Sequence, residues 1–218
     1  LPRPRFLQNY DLIISSLPNI VEKIKSFGVT SYYQPLAFEP AISKNIRSKV
    51  KIYDVSFIGN LTHEHRQRIK LLEAVATKFN LHLWGKAFLP LPLHLKTALQ
   101  APVWGLSMYQ KIAQSKIVIN FHIDLAGPFA NNMRMFETTG IGSLLLTDSK
   151  INLPLLFTPD REVVTFSSEN ELIDKINFYL SDEKSRQKIA LAGQERTLKE
   201  HTYLTRSKEL LSLLGNYL

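Results

Sequence analysis

The feature that most constrains this chain is the alternation of short apolar runs with longer segments of helical period. The β-prone runs are residues 55–58, 81–84, 116–121, 143–147 and 163–166. The segments between them place apolar residues three or four positions apart, as Ile69, Leu72 and Val75 do. Alternation at this spacing is typical of βαβ units. The sequence therefore predicts an α/β fold in which a parallel sheet is covered by helices on both faces.

The first forty residues form a smaller pattern of the same kind. An apolar run over 10–15 is followed by Pro18, which suits the first turn of a helix, and Gly28 ends that helix before a β-rich stretch. A unit of two strands cannot bury both of its faces. We therefore interpret residues 1–40 as the end of another sheet, 41–52 as a linker, and 53–218 as the main domain.

The sequence also predicts several local features. We expect a loop with a short helix over 86–101, a short strand at Val103 and Trp104, and a helix over 132–139 closed by Gly140. Two amphipathic helices are predicted over 170–180 and 183–200.

Composition excludes several classes of protein. The chain has no cysteine, which rules out disulfide scaffolds, thiolate metal sites and cysteine nucleophiles, and no apolar run approaches the ~18 residues of a membrane span. The net charge is +8, and residues 1–52 hold 8 basic and 3 acidic residues. This excess fits nucleic acid, an anionic membrane surface, a phosphorylated small molecule, or simply a soluble surface. The usual nucleic-acid-binding motifs are absent.

In an open parallel sheet, ligands bind beyond the carboxyl ends of the strands. The residues that directly follow predicted strands are therefore the first candidates for a site. They are Gly59, Asn60, Gly85, Phe121, His122 and Asp148. For His122 two roles are open: a hydrogen bond to a phosphate or sugar, or a structural histidine satisfied by the backbone.

The segment 127–143 holds the most informative residues. A loop with glycine and proline runs into a helix that opens with Asn131 and Asn132, and the free N–H groups of a helix start suit a phosphate. Arg134 lies in the first turn, where an external anion would offset its unfavourable interaction with the helix dipole. Glu137, one turn later, could accept hydrogen bonds from a vicinal diol. The alternative is that Arg134 and Glu137 only pair with each other on the surface.

The block N-M-R-M-F-E-T-T-G-I-G-S-L-L-L-T-D over 132–148 resembles a block of the CgeB-like glycosyltransferases, which are related to group 1 glycosyl transferases. Residues 55–60 resemble the family's D-V-S-F-x-G strand and turn, and 115–122 resemble its A-K-I-x-L-N-F-H strand. Further matches follow in the family's order to His201, Thr202 and Tyr203, so the resemblance runs from about residue 10 to 205.

The resemblance implies a GT-B fold, in which two Rossmann-like domains enclose a cleft. This chain would supply the C-terminal, donor-binding domain and the last βαβ piece of the N-terminal domain. Arg134 and His122 are the implied catalytic residues, and Glu137 would bind the ribose of the donor. The other implied contacts are Asn131, Asn132 and Met133 for the diphosphate, Gly59, Asn60 and Arg66 on the opposite side of the cleft, and Val103, Trp104 and Gly105 for the base.

One departure concerns the sugar. Related retaining families often carry E-x7-E, whereas Phe129 occupies the position eight residues before Glu137. The sugar contact and the stereochemical course therefore stay open. His63 and His65 share a helix start but lack a third ligand, so neither a metal site nor a cofactor other than the donor is expected.

The implied reaction is metal-independent transfer of a sugar from a nucleotide-diphosphate sugar to a hydroxyl of a glycan, protein or lipid. We expect the chain alone to be inactive because an upstream N-terminal domain would supply the general base. The apolar flank of that incomplete domain predicts either a homodimer or a chain that is less stable than a whole protein. A bacterial, cytoplasmic location is implied, or a peripheral one at the inner membrane. The alternatives are a non-catalytic nucleotide- or partner-binding module and, more remotely, a nucleic-acid binder.

Overall fold

Two parallel sheets organise the chain in the computed structural model, which describes residues 4–122 and 126–215. The strands are β1 (Ile13–Ser15), β2 (Ser31–Tyr33), β3 (Tyr53–Ile58), β4 (Leu81–Trp84), β5 (Leu99–Gln100), β6 (Ser115–Asn120), β7 (Leu144–Asp148) and β8 (Val164–Phe166). The helices are α1 (Pro4–Leu7), α2 (Pro18–Lys25), α3 (Ala41–Lys44), α4 (Arg66–Lys78), α5 (Leu93–Ala98), α6 (Gly105–Ala113), α7 (Met133–Ile141), α8 (Leu153–Leu156), α9 (Glu169–Ser181), α10 (Glu183–Glu200) and α11 (Tyr203–Leu214). A 3-10 turn over His63–His65 leads into α4.

The larger sheet has six strands in the order β5-β4-β3-β6-β7-β8, and every pair in it is parallel. This confirms the predicted parallel α/β fold. The strand order reverses between β3 and β6, which are direct neighbours with Val55 opposite Ile117. The crevice beyond the carboxyl ends of these two strands is where open sheets of this kind bind ligands.

Apolar residues cover both faces of this sheet. One face packs against α4 and α9 through residues such as Leu72, Val75 and Ile176. The other packs against α6 and α7 through Ile112 and Met135. Because each returning helix runs antiparallel to the strands, the starts of α4, α6, α7 and α9 all lie at the carboxyl edge of the sheet.

The first segment forms the strand–helix–strand unit that the sequence predicts. Strands β1 and β2 pair in parallel, and Leu7, Ile24 and Val29 form a small core of their own beneath α2. The predicted linker contains the short helix α3. The assignment of these residues to another domain stays a prediction.

Two local predictions are wrong. Val103 and Trp104 form no strand, because the edge strand is β5, just before them. Gly140 does not end its helix: α7 continues to Ile141, and Gly142 at φ 86° forms the left-handed cap. Gly140 instead meets the Phe38 ring, where an added Cβ would lie 2.4 Å from the nearest ring carbon.

Helix α11 was not predicted, and it lies against the first segment. Gln34 donates to the carbonyl of Arg206, and the Arg206 guanidinium donates to the carbonyl of Pro35. Of the helices within the described ranges, none combines the length and hydropathy that a membrane crossing requires.

Candidate functional site

The predicted site residues Arg134 and Glu137 lie at the reversal point of the sheet. Both are on α7, whose first turn packs beside α6 and faces the end of β3. Arg134 Nη1 is 2.7 Å from Glu137 Oε2, and Nη2 is 3.5 Å from the carbonyl oxygen of Ile58. The i, i+3 spacing therefore brings the two side chains together at the carboxyl edge, as a ligand site requires.

The pair is not on the open surface. The Arg134 side chain is 17% exposed and that of Glu137 is 10% exposed. Burial lowers the pKa of Arg134, although the charge of Glu137 opposes that effect. Arg134 Nε has no hydrogen-bond partner among the described residues. A mostly buried guanidinium with a spare donor is suited to an anion that enters from the edge.

Tyr109 completes this cluster and was missed by the sequence analysis. Its hydroxyl donates to Glu137 Oε1 at 3.1 Å, so each carboxylate oxygen of Glu137 has one protein donor. Burial and the charge of Glu137 both raise the pKa of Tyr109, which keeps the hydroxyl protonated as a donor. No spacing rule connects residues 28 positions apart on separate helices, so one sequence held no signal for this contact.

Asn132 builds the start of α7. Its Oδ1 accepts from the backbone N–H of Met135, and its Nδ2 donates to Asn120 Oδ1 and to the carbonyl of Phe121. This cap fixes the helix start against the end of β6. Asn131 and Met133 flank it at the edge of the sheet, half-buried and exposed respectively.

The opposite side of the crevice is formed by two backbone turns in close contact. The N–H of Gly59 donates to the carbonyl of Trp84, and Asn60 Oδ1 accepts from the N–H of Lys86. At Gly85 an added Cβ would lie 2.1 Å from the carbonyl oxygen of Gly59, so only glycine fits there. The Asn60 side chain thus supports the turn, whereas Arg66 is exposed at the first position of α4.

The segment proposed for the base lies at the start of α6. Trp104 is exposed, and Gly105 adopts φ 55°, a conformation that favours glycine. Met108, one turn into α6, has its sulfur 3.1 Å from Arg134 Nη1. The start of α6 and the Arg134–Glu137 pair therefore lie side by side at the carboxyl edge of the sheet.

His122 lies behind the crevice rather than in it. Its side chain is fully buried, with Nδ1 2.7 Å from Asp148 Oδ1 and Nε2 3.1 Å from the sulfur of Met135. The ring is thus satisfied by side chains, and its backbone N–H also donates to Asp148. Burial alone would raise the pKa of Asp148, but the hydrogen bonds from His122 and the charge of Lys150 lower it. Asp148 is therefore held ionised.

Asp148 borders a cavity of about 360 Å³ at the same edge of the sheet. Phe121 and Phe166 form an aromatic wall, and Arg68 and Lys150 contribute cations. Aromatic faces combined with a few charged groups suit a polyhydroxylated ligand. Phe121 and Asp148 are among the candidates that follow predicted strands, but no pattern in the sequence predicts the cavity itself.

His63 and His65, the two histidines considered as metal ligands, belong to no group of three or more metal-binding side chains among the described residues. Nδ1 of His65 lies 3.3 Å from the backbone nitrogen of Thr62, in a capping box. Among residues 4–122 and 126–215, no group of three or more histidine or carboxylate side chains lies in an arrangement that could hold a metal ion.

Comparison with the sequence profiles of known protein families finds a match over most of this chain. The sequence profile of a family described as glycosyl transferase-like matches residues 66–212 of this chain, a span that includes Tyr109, Arg134 and Glu137. A comparison with curated protein sequences finds no match.

Solved structures with a similar fold share little sequence with this chain. Sucrose-phosphate synthase from Thermosynechococcus elongatus superposes with a TM-score of 0.71 at 11% identity, over 98% of this chain and 60% of that one. HepE from Anabaena, in complex with UDP and glucose, gives 0.67 at 13% identity, over 97% and 67%. TarM from S. aureus, in a complex that includes UDP, gives 0.66 at 10% identity, over 96% and 45%. The chain thus spans about 60–67% of the first two proteins.

Proposed function

The chain belongs to the glycosyl transferase-like family, and from this premise we propose that it binds the nucleotide half of a nucleotide-diphosphate sugar. Its six-stranded parallel α/β fold matches the domains of GT-B glycosyltransferases. The proposed reaction moves the sugar from the nucleoside diphosphate to a hydroxyl acceptor. Within this family, the block over 132–148 favours the CgeB-like group.

The observation that carries the proposal is the cluster of Glu137, Arg134 and Tyr109 at the reversal point of the sheet. Arg134 and Tyr109 each donate to a different oxygen of Glu137. The carboxylate is therefore held in one orientation, and its remaining lone pairs can accept from two neighbouring ribose hydroxyls.

The start of α7 and Arg134 are proposed to hold the diphosphate. The N–H groups of a helix start carry partial positive charge, and the Arg134 guanidinium adds a full charge beside them. When the bond to the sugar breaks, negative charge grows on the leaving phosphate. Donors that are already oriented stabilise that charge without reorganisation, which is the main electrostatic contribution expected here. This role needs no metal ion.

The rest of the donor is assigned to the borders of the crevice. We propose that the base lies against Val103, Trp104 and Gly105, and that Gly59 and Asn60 close the opposite side. UDP is the first nucleotide to test because the similar structures of HepE and TarM contain it. His122 is proposed as a positioning residue for Asp148, whose ionised carboxylate faces the cavity where a sugar would fit.

We also propose that this chain is the donor-binding half of a two-domain enzyme. It spans only about two-thirds of the first two similar structures, and its first βαβ unit has just two strands. An upstream domain would complete the cleft and supply the general base. The chain alone should bind nucleotide without turnover, and ordinary rates of transfer from a nucleotide sugar by these 218 residues would contradict this.

The test is a thermal-shift panel with UDP, GDP, ADP, CDP and dTDP, measured on the unmodified chain and on Glu137→Gln. One nucleotide at ~100 times its dissociation constant should stabilise the chain by ~2.7 kcal/mol. Glu137→Gln should remove most of that shift because the amide donates where the ribose hydroxyls need an acceptor. Glu195→Gln, at an exposed position on α10, is the matched control. No shift with any of the five nucleotides, or equal shifts in both variants, would reject the assignment.

A further inference from the structure

One basic surface is not used by the proposed nucleotide site. It consists of the segment that enters β3 and the exposed side of α6. Its members are Lys44, Arg47, Lys49, Val50, Ile52 and Leu106, all exposed. We call this surface the basic face. It accounts for part of the positive excess in the first quarter of the sequence.

The basic face is almost free of opposing charge. Residues 40–53 and helix α6 contain no aspartate or glutamate. The neighbouring acids are already engaged: Glu39 accepts from the N–H of Ala41, and Asp54 is 2.6 Å from Lys116 Nζ. The three exposed cations Lys44, Arg47 and Lys49 form no side-chain ion pair within the described part of the chain.

Two further cations nearby do not belong to the face. Lys51 points inward, and its Nζ donates to the carbonyl of Ala113 and to Ser143 Oγ, both at 2.8 Å. Lys111 Nζ donates to the hydroxyl of Tyr53 and lies over the rings of Tyr53 and Trp84. Lys51 and Lys111 therefore stabilise the fold, whereas the cations of the basic face remain available to a partner.

The segment is held in place on α6. Gln110 accepts from the N–H of Arg47 and donates to the carbonyl of Ser48, and the N–H of Ile52 donates to the carbonyl of Gln114. Between Arg47 and Leu106 runs a groove of about 330 Å³. The cations thus stand on a fixed scaffold, so little order has to be gained when a partner binds.

Aliphatic side chains are interleaved with these cations. Val50 is 68% exposed, Ile52 is 56% exposed and Leu106 is 54% exposed. Single-stranded nucleic acids are bound by cations together with aromatic stacking groups, which aliphatic side chains do not provide. Cations beside exposed aliphatic groups match a surface with anionic headgroups above an apolar layer.

We propose that the basic face docks the chain on an anionic membrane surface. Lys44, Arg47 and Lys49 bind the headgroups, and Val50, Ile52 and Leu106 enter the boundary between headgroups and acyl chains. The first turn of α6 belongs both to this face and to the crevice described above. Docking therefore places the mouth of the crevice beside the lipid, within reach of an acceptor that is itself anchored in the membrane.

Vesicle sedimentation tests this directly. The 218-residue chain should bind vesicles that contain phosphatidylglycerol, should bind phosphatidylcholine vesicles far more weakly, and should be released as salt rises. The first variant combines Lys44→Glu, Arg47→Glu and Lys49→Glu. It should bind anionic vesicles at least about 100-fold more weakly, since each cation near such a surface contributes ~1 kcal/mol. Val50→Ser with Ile52→Ser should weaken binding to the same vesicles but leave its dependence on salt unchanged, because all three cations remain.

The matched control has the same net charge as the first variant. It carries Lys184→Glu, Lys188→Glu and Lys208→Glu, three exposed lysines on α10 and α11, and it should bind vesicles like the unmodified chain. Equal loss in the control, no preference for anionic vesicles, or tighter binding to a DNA or RNA oligonucleotide than to vesicles would overturn the proposal. The nucleoside-diphosphate thermal shift should be the same in all variants, so a failure here is distinct from a failure of the nucleotide site.

Discussion

At the scale of single residues, the site depends on how one carboxylate is held. Glu137 accepts a hydrogen bond from Arg134 on one oxygen and from Tyr109 on the other. All three side chains are at least partly buried. The spacing of Arg134 and Glu137 predicts their contact because residues three apart on a helix share a face. Tyr109 could not be predicted, because its contact depends on how α6 packs against α7.

The second feature at this scale is His201, a buried histidine at the end of α10. His201 Nε2 donates to the carbonyl of Leu156 at 2.7 Å, and Nδ1 accepts from Arg206 Nη2 at 2.6 Å. Burial lowers the pKa of His201; the hydrogen bond to the Leu156 carbonyl opposes this, and the charges of Arg206 and Arg196 lower the pKa further. The neutral ring fits both partners, whereas a proton on Nδ1 would face the Arg206 guanidinium.

We therefore predict that stability falls as pH decreases below ~6.5, the ordinary pKa of histidine, because the unfolded chain then binds a proton that the folded chain excludes. This one group contributes a slope of at most ~1.4 kcal/mol per pH unit. Urea unfolding at pH 7.5, 6.5 and 5.5 should show a shallower loss for His201→Gln than for the unmodified chain. His63→Gln, at an exposed position, should keep the full slope. Parallel curves for all three proteins would contradict the prediction.

At the scale of elements, the alternation of apolar runs was sufficient to predict the parallel sheet and both of its covering layers. Short elements were harder to predict, because β5 has two residues and follows a segment interrupted by prolines. Gly140 shows a further limit. Glycine usually ends a helix, yet here it lies inside α7 to admit the ring of Phe38, a residue about a hundred positions earlier.

This contact gives a prediction at the same scale. Gly140→Ala should destabilise the chain by ~1–3 kcal/mol, because the added Cβ would overlap the Phe38 ring and outweigh the better helix propensity of alanine. Gly215→Ala is the control, since its Cβ would meet only ordinary contacts at 3.6 Å. The melting temperature should fall for the first substitution and stay nearly constant for the second. An unchanged or raised melting temperature for Gly140→Ala would show that Phe38 is free to move.

At the scale of the whole molecule, the segment over residues 35–38 is joined to residues 201–206. The N–H of Phe38 donates to the carbonyl of His201, and the carbonyl of Phe38 accepts from the N–H of Tyr203. Arg206 on α11 donates to the carbonyl of Pro35. Its guanidinium also pairs with Glu209 at 3.0 Å. Helical period over 203–214 could have suggested α11, but its attachment to residues near position 35 could not have been deduced, because nothing local links two segments 171 positions apart.

Arg206→Ala should therefore loosen the first βαβ unit and leave the six-stranded sheet intact. The loss of hydrogen bonds from a mostly buried charge costs ~1.5–3 kcal/mol per bond. Hydrogen exchange should accelerate over residues 13–35 and remain slow in β3 and β6. Lys208→Ala, an exposed neighbour on α11, should change neither. Uniform acceleration across both sheets would show that the chain unfolds as one unit.

The central claim is that the crevice between α6 and α7 holds a nucleoside diphosphate. A crystal structure of the chain with the nucleotide that stabilises it tests this most directly. We predict the ribose hydroxyls within hydrogen-bond distance of the Glu137 carboxylate and the diphosphate at the start of α7 beside Arg134. A nucleotide bound elsewhere, with the Arg134–Glu137 pair still closed at 2.7 Å and no ligand atom beside it, would contradict the claim.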